Sequence, residues 1–504
     1  MPLYPRAATA PDDLALDDLE RRRSWAELDD RVARSANALR DELGLGPDDH
    51  VAVLMHNRVE AIETVTAAIA AGLWVTPINW HLARDEVEYV LRDSGARVVV
   101  CDEAHAAVAR AAGAALVVET GEALEGLLAG AADTPVDLEG PAGGTMIYTS
   151  GTTGRPKGVK RRRAGSLARA LEAQRAYAEM IGFDGSGAQL VTGPLYHASP
   201  LHFAIYEQQK GAPIVVMPRW DAQQCLELID EREIRHAHFV PTMFVRLLRL
   251  PEAVRARSRR PALRLALHGA APIAPEVKRA MIDWWGPILL EYWGGSEGGI
   301  HTLIDSPTWL AHPGSVGRPL PGYDVFAVDD DGRRLPAGEV GALYSRDIER
   351  KRIFEYHGDP QKTAEAFLAP DTFTLGDMGC VDADGFVHLS DRRSNMIISG
   401  GVNIYPAEIE AVLITHPAVR DVGVFGIPDD EWGESVKAAV ELGGDAKPCE
   451  QLEAELLAWA RERLAGYKVP RSIDFESRLP RHPSGKLYIR RLRDPYWAGR
   501  ARRI

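Results

Sequence analysis

The densest chemistry in the chain lies in twelve residues, Tyr148 to Val159, reading YTSGTTGRPKGV. Gly151, Gly154 and Gly158 let the backbone approach a ligand closely and turn its amides inward, while the hydroxyls of Thr149, Ser150, Thr152 and Thr153 add donors. Lys157 adds a positive charge, and the whole is suited to holding phosphate. It is not a Walker A loop, where the lysine directly follows a glycine and precedes Ser or Thr; here Lys157 stands between Pro156 and Gly158. An ordinary flexible loop would account for the glycines and hydroxyls but not for the Arg155, Pro156, Lys157, Gly158 tail.

A second concentration is EYWGGSEGG, Glu291 to Gly299. Gly294 to Gly298 matches GxSxG, the serine elbow of an acyl hydrolase, with His301, His312 and His388 downstream as partners. That reading needs a strand, a sharp turn and a helix, together with an upstream HGGG-type oxyanion loop. No such loop precedes it, and the Tyr148 segment would stay unexplained. His197 and His202 lie five apart and His236 and His238 two apart, with no carboxylate at helical spacing, so no bound zinc is expected.

The Tyr148 stretch closely resembles the phosphate-binding signature of the adenylate-forming superfamily, which includes acyl-CoA synthetases, peptide-synthetase adenylation domains and beetle luciferases. Further motifs follow in the family's order. The resemblance implies that Thr149, Ser150, Gly151, Thr152, Thr153, Gly154 and Lys157 hold the phosphates of ATP. In GPLYH it sets His197, followed by Ala198, at the acyl pocket, and in LHGAAP it sets Gly269, Ala270 and Ala271 along the adenine edge. Trp293 stands where the family's tyrosine stacks on adenine, and Ser296 where a threonine meets the α-phosphate. Glu297 matches the glutamate that holds Mg²⁺, with Thr149 as a second metal contact; hard oxygen donors beside a triphosphate are what that ion requires. Asp377 of FTLGD takes the ribose hydroxyls with Arg392 beside it, Ser394 occupies the hinge, Gly401 lines the pantetheine tunnel, and Lys486 of PSGK is the catalytic lysine. Ser394 departs from the hinge's usual Asp or Lys.

The implied fold is α/β: a large N-terminal domain of layered sheets and helices over residues 1–391, a hinge at 392–395, and a small mobile α+β lid over 396–504. The implied reaction joins a carboxylic acid to the α-phosphate of ATP and then passes the acyl group to CoA, with a freestanding enzyme serving an acyl carrier protein or separate transferase as the alternative. Gly294, Gly295, Gly298 and Gly299, with Ala198 and Ser199, remove side-chain volume where the family puts its acyl pocket. A wide apolar cavity and a bulky hydrophobic acid, terpenoid or steroid-like, are therefore expected ahead of a medium-chain acid. The run Lys160, Arg161, Arg162, Arg163 reads first as a solvated face and second as a dock for an acidic carrier or a CoA phosphate.

The elements that must carry these residues are also visible. Ser24 with Glu27 makes a capping box ahead of a helix from Trp25 to Leu43. His50 to Met55, Arg58 to Ala71 and Leu73 to Ile78 read as strand, helix and strand, and Glu86 to Arg92 with Arg97 to Cys101 repeats the scheme, which predicts a parallel sheet covered by helices. Residues 104–144 are Ala- and Gly-rich and predict only small surface elements. A chain of 504 residues exceeds a single core. Its net charge of -13 argues against nucleic acid as a general partner. Four widely spaced cysteines fit a reduced compartment. Neither a signal-peptide core nor an apolar run of membrane-spanning length occurs, so a soluble cytoplasmic protein is expected. Oligomeric state stays open, a homodimer included.

Overall fold

The computed structural model describes residues 2–149, 156–349, 353–392, 394–400, 402–481 and 487–498. Among these, seven strands form one sheet in the order Phe354–Tyr356, Lys157–Arg161, Gly144–Thr149, Trp74–Pro77, His50–Leu54, Ala96–Cys101, Leu116–Glu119. His50–Leu54 is buried throughout and runs parallel to both its neighbours, as a continuous apolar run should in a sheet covered on two faces. The helix Val59–Ala70, buried at every position, crosses between His50–Leu54 and Trp74–Pro77, so the expected strand, helix, strand unit is present.

The second sheet contains fourteen strands among the described residues. Its parallel centre includes His236–Phe239, Leu265–His268 and Leu289–Gly295, and the next strand, Gly299–Asp305, turns back antiparallel. From there the sheet continues through Ser315–Pro319, Val387–Arg392 and Thr372–Val381. The C-terminal segment has its own five-stranded sheet, built on the long hairpin Val419–Asp429 and Gly433–Leu442 and covered by the helices Pro406–Leu413 and Glu450–Arg461. The chain leaves the second sheet at Arg392 and enters this one with the strand Ile397–Ser399.

Two expectations change. The first helix keeps its capping box, Glu27 N donating to Ser24 Oγ at 3.3 Å and Ser24 N to Glu27 Oε2 at 2.8 Å, but regular α-helix ends at Asn37 and a wider π turn covers Ala38–Glu42. Residues 104–144 are more than surface elements. Leu116–Glu119 completes the first sheet, and the flanking helices Glu103–Ala111 and Glu122–Gly130 pack small side chains that the composition made look featureless.

Candidate functional site

Two hairpins face each other across a cleft. In the first, Gly144–Thr149 pairs with Lys157–Arg161 so that Thr149 lies opposite Lys157 at the mouth of the phosphate loop. Ser150, Gly151, Thr152, Thr153 and Gly154 of that loop lie outside the described residues, as do Gly401 and Lys486. The Lys157 ammonium contacts the carboxylate of Asp359, which it holds below the usual carboxylate range. Asp359 also caps the helix Pro360–Ala366 through Lys362 N at 2.8 Å.

The second hairpin joins Leu289–Gly295 to Gly299–Asp305, with Ser296, Glu297 and Gly298 at its tip. The GxSxG match therefore sits in a β-turn between antiparallel strands and not between a strand and a helix, which removes the serine-elbow geometry. Tyr356, on the strand beside Lys157–Arg161, donates its hydroxyl to Glu297 Oε1 at 3.0 Å and so ties the two hairpins together. The glycines here serve close packing. A Cβ at Gly294 would lie 2.0 Å from Gly299 O, and one at Gly295 would press on Leu375 and on Glu297 Oε2 at 3.0 Å.

Asp377 and Arg392 are cross-strand partners, and the Arg392 Nε to Asp377 Oδ1 distance is 3.0 Å. Trp293 donates its indole N–H to Asp377 Oδ2 at 2.8 Å. The ring is only 5% exposed and packs with Val316, Val325 and Leu343. Its indole reaches the carboxylate on the neighbouring part of the sheet, and that hydrogen bond draws the ring inward.

Ala270 adopts a φ of 65°, a left-handed conformation unusual for a side chain with a Cβ, and is exposed together with Ala271. Gly269 is buried because the ring of Tyr292 lies beneath it, 2.7 Å from where a Cβ would stand. The Tyr292 hydroxyl donates to Ser199 Oγ at 2.9 Å and lies 3.1 Å from His238 Nε2. His197 precedes the helix Ala198–Gln209, its ring packed on Tyr196 at 4.6 Å. His202, one turn further, meets Thr145 Oγ1 at 2.9 Å, and His236 contacts the buried Glu207. The C-terminal domain closes over this side. Arg249 donates to the backbone oxygens of Val419 and Arg420, and the pKa of Tyr196 is raised first by burial and then by Tyr488, two residues past Lys486.

The cleft thus gathers Thr149, Lys157, Trp293, Ser296, Glu297, Asp377 and Arg392, connected by Tyr356 and Asp359. Sequence reasoning missed the last two. The signal was present in FEYHGDP, Phe354 to Pro360, where an aromatic hydroxyl and a helix-capping carboxylate sit within a few residues of each other. The basic run divides. Lys160 and Arg163 lie over the Trp74 ring at 4.9 and 4.7 Å, Arg162 is exposed, and Arg161 turns toward the cleft.

Residues 3–348 match the family described as AMP-binding enzyme, and residues 408–486 its C-terminal domain. The chain belongs to the AMP-binding enzyme family. Feruloyl-CoA synthase of an Amycolatopsis species is 35% identical over 92% of both chains, and a long-chain-fatty-acid–CoA ligase of Mycobacterium tuberculosis is 34% identical over 95% of this chain and 94% of its own. Among solved structures, o-succinylbenzoate CoA synthetase from Bacillus subtilis in complex with its acyl-adenylate intermediate aligns with a TM-score of 0.82, 28% identity and 98% coverage of both chains. As a member of this family the protein is an AMP-forming acid–thiol ligase with the large and small domains of adenylate-forming enzymes. No helix among its described residues is long and apolar enough to cross a membrane.

Proposed function

We propose that this AMP-binding enzyme activates a carboxylic acid with ATP and then transfers the acyl group to CoA. The observation that carries the reading is the linkage of Lys157, Glu297, Asp377 and Arg392 across one cleft. In the first half-reaction the acid's carboxylate attacks the α-phosphorus of ATP and pyrophosphate leaves. Two anions must meet, so catalysis consists of placing fixed positive groups where charge accumulates. Lys157 faces the phosphates once they displace Asp359 from it. Asp377 has two acceptor oxygens for the ribose hydroxyls, and Arg392 holds that carboxylate in place. The exposed backbone of Ala270 and Ala271 offers groups to the adenine edge, and Ser296 lies at the tip where the α-phosphate would sit.

The residues that would hold a magnesium ion are hard oxygen donors: the carboxylate of Glu297 at the tip, with one oxygen already oriented by Tyr356, and the hydroxyl of Thr149 at the end of the strand Gly144–Thr149. Such an ion supplies positive charge to the phosphates when bound. In the second half-reaction the small domain, residues 396–504, turns about the 392–395 hinge at Ser394, withdraws Lys486 and brings in Gly401, and a CoA thiol expels AMP. Passage of the chain between two sheets over the few residues from Arg392 to Ile397 supports that placement of the hinge.

For the acid, the packing supports a compact carboxylate in place of the bulky hydrophobic one expected. The glycines at 294 and 295 accommodate the hairpin's own backbone and Glu297, and the Tyr292 ring occupies the depth beneath Gly269. Pyrophosphate exchange with a panel of acids tests the reading. ATP-dependent exchange with at least one aryl or short-chain acid is expected, with thioester formed on adding CoA. Absence of exchange throughout would sink it, and exchange without thioester would redirect the acceptor to a carrier protein.

A further inference from the structure

Strand alternation separates Arg161 from Lys160, while Arg162 and Arg163 lie beyond the end of the strand Lys157–Arg161. Arg161 stands opposite Phe354 in the sheet, on the face away from Lys160. Its guanidinium lies against the second hairpin: a Cβ at Gly299 would be 3.4 and 3.5 Å from Arg161 Nη1 and Nη2 and 2.9 Å from the Tyr177 hydroxyl. The other side chains that feel its charge are His202, Tyr206 and His301. Burial first, and then Arg161 itself, push His202 and His301 down to about 3, so both rings are neutral. The Tyr177 hydroxyl is raised by burial and stays protonated.

Every Asp and Glu side chain lies among the described residues, and none of them pairs with Arg161. A partly buried guanidinium without a counter-ion among the described residues is costly, because its hydration is curtailed and no carboxylate there replaces it. Tyr177, Tyr206 and the two neutral histidines give it a polar surrounding but no opposite charge. Of its neighbours, His202, Tyr206 and His301 belong to the helix Ala198–Gln209 and to the second hairpin, the two elements that carry His197, Ser296 and Glu297.

We propose that Arg161 reads a second carboxylate on the substrate, so that the acid is a compact diacid activated at one end beside Glu297 and paired at the other with the guanidinium. Arg161 is then the specificity residue of the site, and the hydroxyls of Tyr177 and Tyr206 flank the pair. This rests on the ligase reading of the preceding subsection. A fork of fixed donors suits a planar carboxylate, and a site built to pair a charge rejects the analogue that lacks it.

The test is pyrophosphate exchange with aryl and short aliphatic diacids, each beside its monomethyl ester, in the full-length wild type, Arg161→Leu and Arg161→Lys. The wild type should favour at least one diacid over its monoester by about tenfold or more in kcat/KM. Arg161→Leu should bring that ratio to about one or invert it, chiefly through KM for the acid, while Arg161→Lys keeps part of the preference. Thermal unfolding of both variants checks that they fold, and the lysine variant keeps the test decisive if the leucine one does not. A wild-type preference for monoesters, or an Arg161→Leu enzyme that still favours the diacid, overturns the proposal. So does an equal loss with every acid, which would make Arg161 a positioning residue. No exchange with any acid would instead overturn the ligase reading itself.

Discussion

Glu291 and Glu297 belong to one stretch of chain, the first near the base of the strand Leu289–Gly295 and the second in the turn at its tip, yet their surroundings are opposed. Glu291 is buried and pairs with the fully buried Lys278 at 2.5 Å. Burial pushes the acid's pKa up and the amine's down, and the contact between the two opposes both shifts. Glu297 is partly open, has no ion pair among the described residues, and is oriented by the neutral Tyr356 hydroxyl. The strand thus uses one carboxylate to complete the interior and leaves the other with charge to spend on a ligand. A satisfied carboxylate stabilises the fold; an unsatisfied one at a cleft is available for chemistry.

The largest effect should come from breaking the satisfied pair. Glu291→Ala strands the Lys278 ammonium among Trp309 and His268, and a loss of about 3–5 kcal/mol in unfolding free energy is expected, read by urea titration. Replacing both partners, Lys278→Met with Glu291→Leu, should recover most of it. If the single variant is as stable as wild type, the pair is not what completes the interior.

At the tip the same chemical change should leave stability alone. Glu297→Gln keeps the hydrogen bond from Tyr356 but removes the charge, and exchange activity should fall about 10²–10³-fold, the size found for a single electrostatic group that acts mainly in the transition state. Its thermal midpoint should stay within about 2 °C of wild type. A variant that unfolds earlier and keeps its activity would place Glu297 with Glu291, and the contrast would disappear.

That contrast also explains what could be read beforehand. Local rules sufficed for the Ser24 and Glu27 cap, for the buried strand His50–Leu54, and for the order of motifs from Thr149 to Asp377, because each depends on residues close in sequence. The pairings that give the site its geometry do not. Tyr356 meets Glu297, Lys157 meets Asp359, and Trp293 meets Asp377 only after two sheets have assembled. Nothing local in KRRR told which arginine would turn inward, since that depends on which strand pairs with Lys157–Arg161 from the far side. Nor could the glycines of the hairpin be told apart from glycines that open a pocket, because what a Cβ would strike is set by the returning strand.

Asp377 lies between the two kinds of carboxylate: it is only 9% exposed and paired, yet its partners Arg392 and Trp293 leave it at the cleft. Asp377→Asn should raise KM for ATP about tenfold, the size of one charge-assisted hydrogen bond, and leave KM for the acid unchanged. Equal increases for both substrates would mean that the change had deformed the cleft and had not simply removed a ribose contact.

The smallest effect concerns a third kind of carboxylate, one that burial has disfavoured with no cation in contact among the described residues. Glu410, on the helix Pro406–Leu413, accepts Val424 N–H at 2.8 Å, while the nearby Arg481 is engaged by Asp421 at 2.5 Å. Burial, followed by repulsion from Asp391, raises Glu410 from 4.5 to about 7. Between those values the folded protein holds a proton that the unfolded chain has released, so this group's contribution to stability is complete below about pH 4.5 and declines as pH rises toward 7. Glu410→Gln keeps the acceptor for Val424 N–H and removes the titration. Because part of the side chain meets solvent, the gain expected at pH 8 is modest, about 1 kcal/mol, and it should vanish near pH 4. Urea unfolding at the two pH values reads the difference. A variant less stable than wild type at pH 8 would show that Glu410 is ionised and paired in the folded state, and would move it to the side of Glu291.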